Sequence, residues 1–172
     1  MMNDPFSLKD KTVLVTGATS GLGMATAIEC SRRGGNMIIT GRDSDRLMKT
    51  LSLLHGEGHT SIVADLTVAS DLENVFSVIS EKIHGIVFAA GITKTVPVKF
   101  INQELINNVF ETNTLSSFKL IQKILRKKKM HRQGSIIFIS SISTAYADVG
   151  NSIYAASKGA LNSFSKVLAL ES

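Results

Sequence analysis

The chain has one cysteine, no tryptophan and no long apolar run among its 172 residues. The single thiol, Cys30, cannot close an internal disulfide, and its place in the first expected helix suits a small buried hydrophobe better than a redox centre. No apolar stretch approaches the ~20 residues needed to cross a bilayer. The opening Met1-Met2-Asn3-Asp4-Pro5-Phe6 lacks the basic and apolar regions of a signal peptide, so a cytoplasmic protein with no membrane partner is expected. No repeat, low-complexity tract or linker divides the sequence, and residues 1–172 read as one domain. Much of the net charge of +5 sits in Arg126-Lys127-Lys128-Lys129, with His131 and Arg132 close behind. Nothing aromatic is interleaved with these cations, which argues against nucleic acid. Cations at a helix carboxyl end complement its dipole, and an acidic carrier protein would also fit such a patch.

With 44% hydrophobic residues the chain can bury a real core. Its elements alternate: strands at 12–16, 36–40, 59–64, 85–90 and 135–140, and helices at 21–33, 43–54, 68–82, 103–129 and from 152 onward. Runs such as Met37-Ile38-Ile39 and Ser135-Ile136-Ile137-Phe138-Ile139 do not alternate with polar residues, the pattern of strands covered on both faces. A doubly wound, Rossmann-type α/β fold follows, with a parallel sheet in the order 3-2-1-4-5 and a ligand crevice at the carboxyl ends of the strands.

Two motifs carry chemistry. A β-branched run, Thr12-Val13-Leu14-Val15-Thr16, passes directly into Gly17-Ala18-Thr19-Ser20-Gly21-Leu22-Gly23 and then a helix. Strand, glycine turn and helix start make a phosphate cradle, because glycines let backbone approach the ligand and the helix amino end supplies N–H groups and partial positive charge. Far downstream, Tyr154 and Lys158 stand four residues apart on one helical face. A nearby cation favours the anionic form of a phenol, so the pair suits a general acid and the group that tunes it.

Gly17, Gly21 and Gly23 after a threonine match TGxxxGxG, and Tyr154 with Lys158 matches YxxxK. With Asp65-Leu66 after a third strand, Asn113 in a long helix and Ser141 thirteen residues before Tyr154, the chain resembles the classical short-chain dehydrogenase/reductase family, closest to bacterial 3-oxoacyl-acyl-carrier-protein reductases. The resemblance runs from about Phe6 to the last residue. It implies a catalytic tetrad of Asn113, Ser141, Tyr154 and Lys158 acting on a small carbonyl or alcohol substrate. Tyr154 would donate the proton, Ser141 would hold the carbonyl oxygen, and Lys158 would lower the tyrosine pKa and bond the nicotinamide ribose. Asn113 would anchor a water beside the lysine. Gly17, Thr19, Ser20, Gly21, Leu22, Gly23, Arg42, Asp65, Leu66, Ala90 and Gly91, with Tyr154 and Lys158, would meet the cofactor, and no metal is implied. The family's acidic position after the second strand is Gly41 here and Arg42 follows, which favours NADP(H) over NAD(H); Arg42 could instead pair with Asp43 or Asp45.

Two departures qualify the resemblance. Ala89-Ala90-Gly91 replaces the family's usual Asn-Ala-Gly, removing an amide near the adenosine half of the cofactor. Family members usually run longer, and a chain without their last strands and substrate lid would leave the strand at 135–140 as an exposed edge, so a carboxyl-terminally incomplete chain is expected. An alternative is a nucleotide-binding or assembly module that keeps the cradle without turnover. A homo-oligomer, dimer or tetramer, is expected through the long helix, where Phe110, Leu115, Phe118 and Leu125 exceed what one face needs.

Overall fold

The computed structural model describes residues 4–171; Met1, Met2, Asn3 and Ser172, the two ends of the expected domain, lie outside the described residues. Strands β1 (Thr12–Thr16), β2 (Asn36–Gly41), β3 (Thr60–Val63), β4 (Ile83–Phe88) and β5 (Met130–Phe138) form one parallel sheet in the order β3-β2-β1-β4-β5. This is the expected order. The strands are joined by α1 (Gly21–Arg32), α2 (Ser44–Ser52), α3 (Ala69–Ser77), α4 (Gln103–Phe110) and α5 (Ser116–Arg126), and α6 (Ser152–Glu171) follows β5.

The unbroken apolar character of the central strands reflects burial on both faces. Along β1, Leu14 packs into one core with Val75, Ile86, Leu120, Ile121 and Ile124, while Val13 and Val15 point the other way into a second core with Met37, Ile39 and Leu47. Each such fully buried aliphatic side chain contributes roughly 1.5–3 kcal/mol, so the sheet is clamped from both sides. Cys30 is half-buried beside the second core, and burial, assisted by Glu29, pushes its thiol pKa up.

Register places the site. Thr16 of β1 lies opposite Thr40 of β2 and Phe88 of β4, so the three central strands end level. The chain then leaves them through Gly17, Gly41 and Ala89, all of which line one crevice where the strand order reverses between β1 and β4.

Several boundaries differ from the expectation. The helix expected at 103–129 is interrupted by a π turn at Glu111–Leu115 and stops at Arg126. Lys127, Lys128 and Lys129 form the turn into β5, with Lys128 at φ +54°, so the basic cluster spans a helix end, a turn and a strand start. Helix α3 ends at Ser77 instead of 82, and β5 begins at Met130 instead of 135. As an edge strand β5 is not covered on both faces: Ile136 and Phe138 pack on the core, but Ile137 is 49% exposed. The apolar surplus of the long helix is also less available than expected. Phe118 stacks on Phe164 of α6 with centroids 3.8 Å apart, Leu125 packs against the core, and Phe110 and Leu115 are half-buried. No helix among the described residues is long and apolar enough to cross a membrane, and none of their His, Cys, Asp and Glu side chains cluster as metal ligands would.

Candidate active site

The cradle is shaped by missing side chains. Gly17 takes φ +66°, and a Cβ there would stand 2.6 Å from Ala90 N and Cα. A Cβ on Gly23 would overlap the Gly17 carbonyl oxygen, and one on Gly41 would overlap the Thr19 methyl. Helix α1 starts behind Ser20, whose side chain makes no capping bond, so the helix amino end faces the crevice with N–H groups free for a ligand. By contrast α2 is closed by Asp43, which accepts from Arg46 N at 3.0 Å. The crevice has a volume of about 560 Å³, and every residue expected to meet the cofactor lines it.

At its far end sit Tyr154 and Lys158. Lys158 is buried, and its ammonium donates to Ile139 O at 2.7 Å, just beyond the end of β5. Burial pushes its pKa below the ordinary lysine value. Nζ lies 6.0 Å from the Tyr154 ring centroid, and a side chain on Gly91 would begin 3.3 Å from Nζ and 3.4 Å from Asn113 Oδ1. Glycine in the turn after β4 thus leaves the lysine and the asparagine room to approach it closely.

Asn113 does not point to solvent from mid-helix. It lies in the π turn, 2% exposed, accepts from Ile92 N at 2.7 Å, and donates to Ile92 O at 2.9 Å and Ser157 Oγ at 3.0 Å. Ser157 Oγ donates in turn to Tyr154 O at 2.7 Å, and Thr114 Oγ1 donates to Ser157 O at 2.9 Å. The π turn therefore ties the loop after β4 to the helix that bears Tyr154. Ser141 follows β5 and does not line the crevice itself; its hydroxyl is engaged with Ser143, while the neighbouring Ser140 lines the wall.

Arg42 turns neither to Asp43 nor to Asp45. Its guanidinium pairs with Asp65 at 3.5 Å across the ends of β2 and β3, while Arg46 pairs with Asp43 at 3.4 Å. Partial burial pushes the Asp65 carboxyl up, but hydrogen bonds from Thr67 N and Oγ1 and the charge of Arg42 outweigh it and hold the pKa below the usual value. Arg46 also lines the crevice, a second cation that sequence reasoning missed, together with the buried hydroxyls of Thr40 and Thr112, which have no hydrogen-bond partner among the described residues. The place of Arg46 in the first turn of the helix that leaves β2, close to Arg42 in sequence, was the available signal.

A sheet reversal, a glycine cradle and a half-buried tyrosine beside a buried lysine define a Rossmann-type α/β domain. A family model described as short chain dehydrogenase matches residues 11–172, and the chain belongs to that family. It is 33% identical over 168 residues to human retinol dehydrogenase 8, covering 94% of this chain and 54% of that protein. It is also 33% identical over 165 residues to the 3-oxoacyl-[acyl-carrier-protein] reductase FabG of Rickettsia bellii, covering 95% and 67%. An actinorhodin polyketide ketoreductase solved with NADPH superimposes with a TM-score of 0.87 at 27% identity, over 94% of this chain and 64% of that one. The chain therefore spans about half of the retinol dehydrogenase and two thirds of the bacterial reductase.

Proposed function

We propose that the protein is an NADPH-dependent carbonyl reductase, on the observation that Lys158 is buried at the end of the crevice, held by Ile139 O and within reach of Tyr154. The glycine contacts fit a dinucleotide, since Gly17 and Gly23 let the turn fold tightly against Ala90 and the start of α1, while Gly21, whose Cβ would meet nothing within 4 Å, leaves the crevice wall open for a pyrophosphate to approach the backbone. The bound nicotinamide would supply a hydride to the carbonyl carbon. Negative charge then develops on the carbonyl oxygen, which needs a proton and a second hydrogen bond. Tyr154 gives the proton, Ser141 gives the hydrogen bond, and Lys158 holds the nicotinamide ribose while its charge favours the phenolate. Asn113 acts as a positioning residue, because its two N–H bonds are already spent on Ile92 and Ser157. Arg42, just past the end of β2, and Arg46, in the first turn of α2, favour a 2′-phosphate, and Asp65 and Leu66 flank the adenine.

The bacterial relative's name points to a 3-oxoacyl thioester as substrate, with an acyl carrier protein docking on Arg126 to Lys129, and the apolar surface left on α6, where Val167 and Leu170 are 55% and 87% exposed, supports a homo-oligomer. NADPH oxidation with a 3-oxoacyl thioester and with simple ketones tests the reading. Tyr154→Phe should slow turnover by a factor of ~100 or more with unchanged cofactor affinity, whereas Lys158→Ala should damage both. Near-normal turnover in Tyr154→Phe would overturn the assignment.

A further inference from the structure

The loop between β5 and α6 contains a hydrogen-bonded chain of which the chemistry above uses only Ser141. Ser141 Oγ accepts from Ser143 N at 3.2 Å, the two hydroxyl oxygens lie 3.1 Å apart, and Asn151 Nδ2 donates to Ser143 Oγ at 3.2 Å. Both ends of this chain are fixed to the helix that carries Tyr154 and Lys158. Asn151 O accepts from Ala155 N at 2.9 Å, and Thr144 Oγ1 donates to Ser141 O at 2.9 Å while accepting from Asn162 Nδ2 at 3.2 Å. The far side of the loop is pinned as well, since Val96 N donates to Gly150 O at 2.8 Å.

The donors in this chain can be counted. A serine hydroxyl has one proton to give and two lone pairs to offer, whereas an amide nitrogen only donates. Ser141 can serve a substrate carbonyl only if its single proton is not spent on Ser143. Asn151 Nδ2, not the amide oxygen, faces Ser143 Oγ, so it fills one lone pair there and makes no claim on the Ser143 proton, while the buried Oδ1 has no hydrogen-bond partner among the described residues. That proton is free to turn onto Ser141 Oγ, and the Ser141 proton is then free to turn outward. Two hydroxyl rotations accomplish this without breaking a contact, and a hydroxyl that already accepts becomes a better donor.

We propose that Ser143, held by Asn151, is a positioning residue that releases and aims the Ser141 proton at the carbonyl oxygen. The proposal rests on the reading of Ser141 as the group that bonds that oxygen. Asn151→Ala should reproduce part of what Ser143→Ala does.

The test uses the full chain with NADPH and acetoacetyl-coenzyme A, and, independently of turnover, calorimetric titration of the same ketone into the protein saturated with NADP⁺. Ser143→Ala should lower kcat ~10-fold and weaken ketone binding several-fold, with NADPH affinity and thermal stability unchanged. Ser143→Thr, which keeps the hydroxyl, should recover most of the loss. In a Ser141→Ala background the Ser143→Ala change should add almost nothing, because the relay then has no terminus. If Ser141→Ala is impaired but Ser143→Ala is not, or if the two losses multiply, or if threonine fails to rescue, the relay is wrong while the proposed function stands. If Ser141→Ala is unimpaired, or no NADPH is oxidised, the reading of Ser141 fails and the relay with it.

Discussion

The half of the crevice proposed to hold the nucleotide, from Gly17 to Asp65 (the nucleotide half below), and the half proposed to meet the carbonyl, from Ala89 to Lys158 (the carbonyl half), are built in opposite ways. In the first, backbone meets backbone through positions where a Cβ would collide, as at Gly17 against Ala90 and Gly23 against the Gly17 carbonyl. In the second, side chains bind side chains and backbone, as Asn113, Ser157 and Lys158 do with Ile92, Tyr154 and Ile139. The first half should therefore be the less tolerant of added volume at Gly17 and Gly23, and the second the less tolerant of lost side-chain hydrogen bonds.

The largest test of that contrast is a pair of glycine substitutions. Gly23→Val would drive a branched side chain into the Gly17 carbonyl, so α1 must shift away from β1; overpacking of this kind costs about 1–3 kcal/mol or more, and NADPH binding should be lost with it. Gly159, on α6 beside Lys158, has nothing within 4 Å of a built Cβ and a helical setting. Gly159→Ala should therefore stabilise the protein by roughly 0.5–1 kcal/mol. Denaturant unfolding of both variants checks the pair, and a destabilised Gly159→Ala would show that volume limits the carbonyl half too.

A smaller effect is expected at the outer end of the nucleotide half. Arg42 is 58% exposed and shares its charge with Asp65, so Arg42→Ala should weaken NADPH by about 1–3 kcal/mol and NADH little. Fluorescence titration of both cofactors measures the difference. Equal losses would mean that Arg42 acts through Asp65 on the adenine end and not through a 2′-phosphate.

The same contrast explains what could be read before any coordinates. Gly17, Gly21 and Gly23 between a buried strand and a helix are adjacent in sequence, so the cradle, like the strand order, is legible from local pattern and alternation. Tyr154 and Lys158 are legible because four residues make one helical turn. The pairing of Arg42 with Asp65 was not, since it joins the ends of two strands 23 positions apart. Nothing in Glu111 to Leu115 signals a π turn, and that turn is what aims Asn113 inward. Ser143 and Asn151 meet only because a loop folds back on itself. The early start of β5 was hidden by Arg132 and Gln133, exposed polar residues near an irregularity between Ile83 and Gly85 in the pairing with β4.

The smallest effect is expected outside both halves, at the ends of β4 and β5 away from the crevice. His84 Nδ1 accepts from Thr12 N at 3.2 Å, and its ring stacks on that of His131 with centroids 4.7 Å apart. Desolvation, then Lys11, then His131 push the His84 pKa below its ordinary value. The folded protein thus takes up this proton less readily than the unfolded chain, so the stabilisation is present above about pH 6.5 and is lost as the pH falls below it. Protonation at Nδ1 would also remove the acceptor for Thr12 N. The melting temperature should therefore drop further between about pH 7.5 and pH 5.5 in the parent than in His84→Gln, which titrates no proton there. Equal drops would remove His84 from the account. The preference for NADPH over NADH, measured well below the melting temperature, should be the same in both proteins, because the histidine pair touches neither half of the crevice; a preference that moved with His84 would mean that the sheet transmits strain from one end of its strands to the other, and the two halves could no longer be treated as independent.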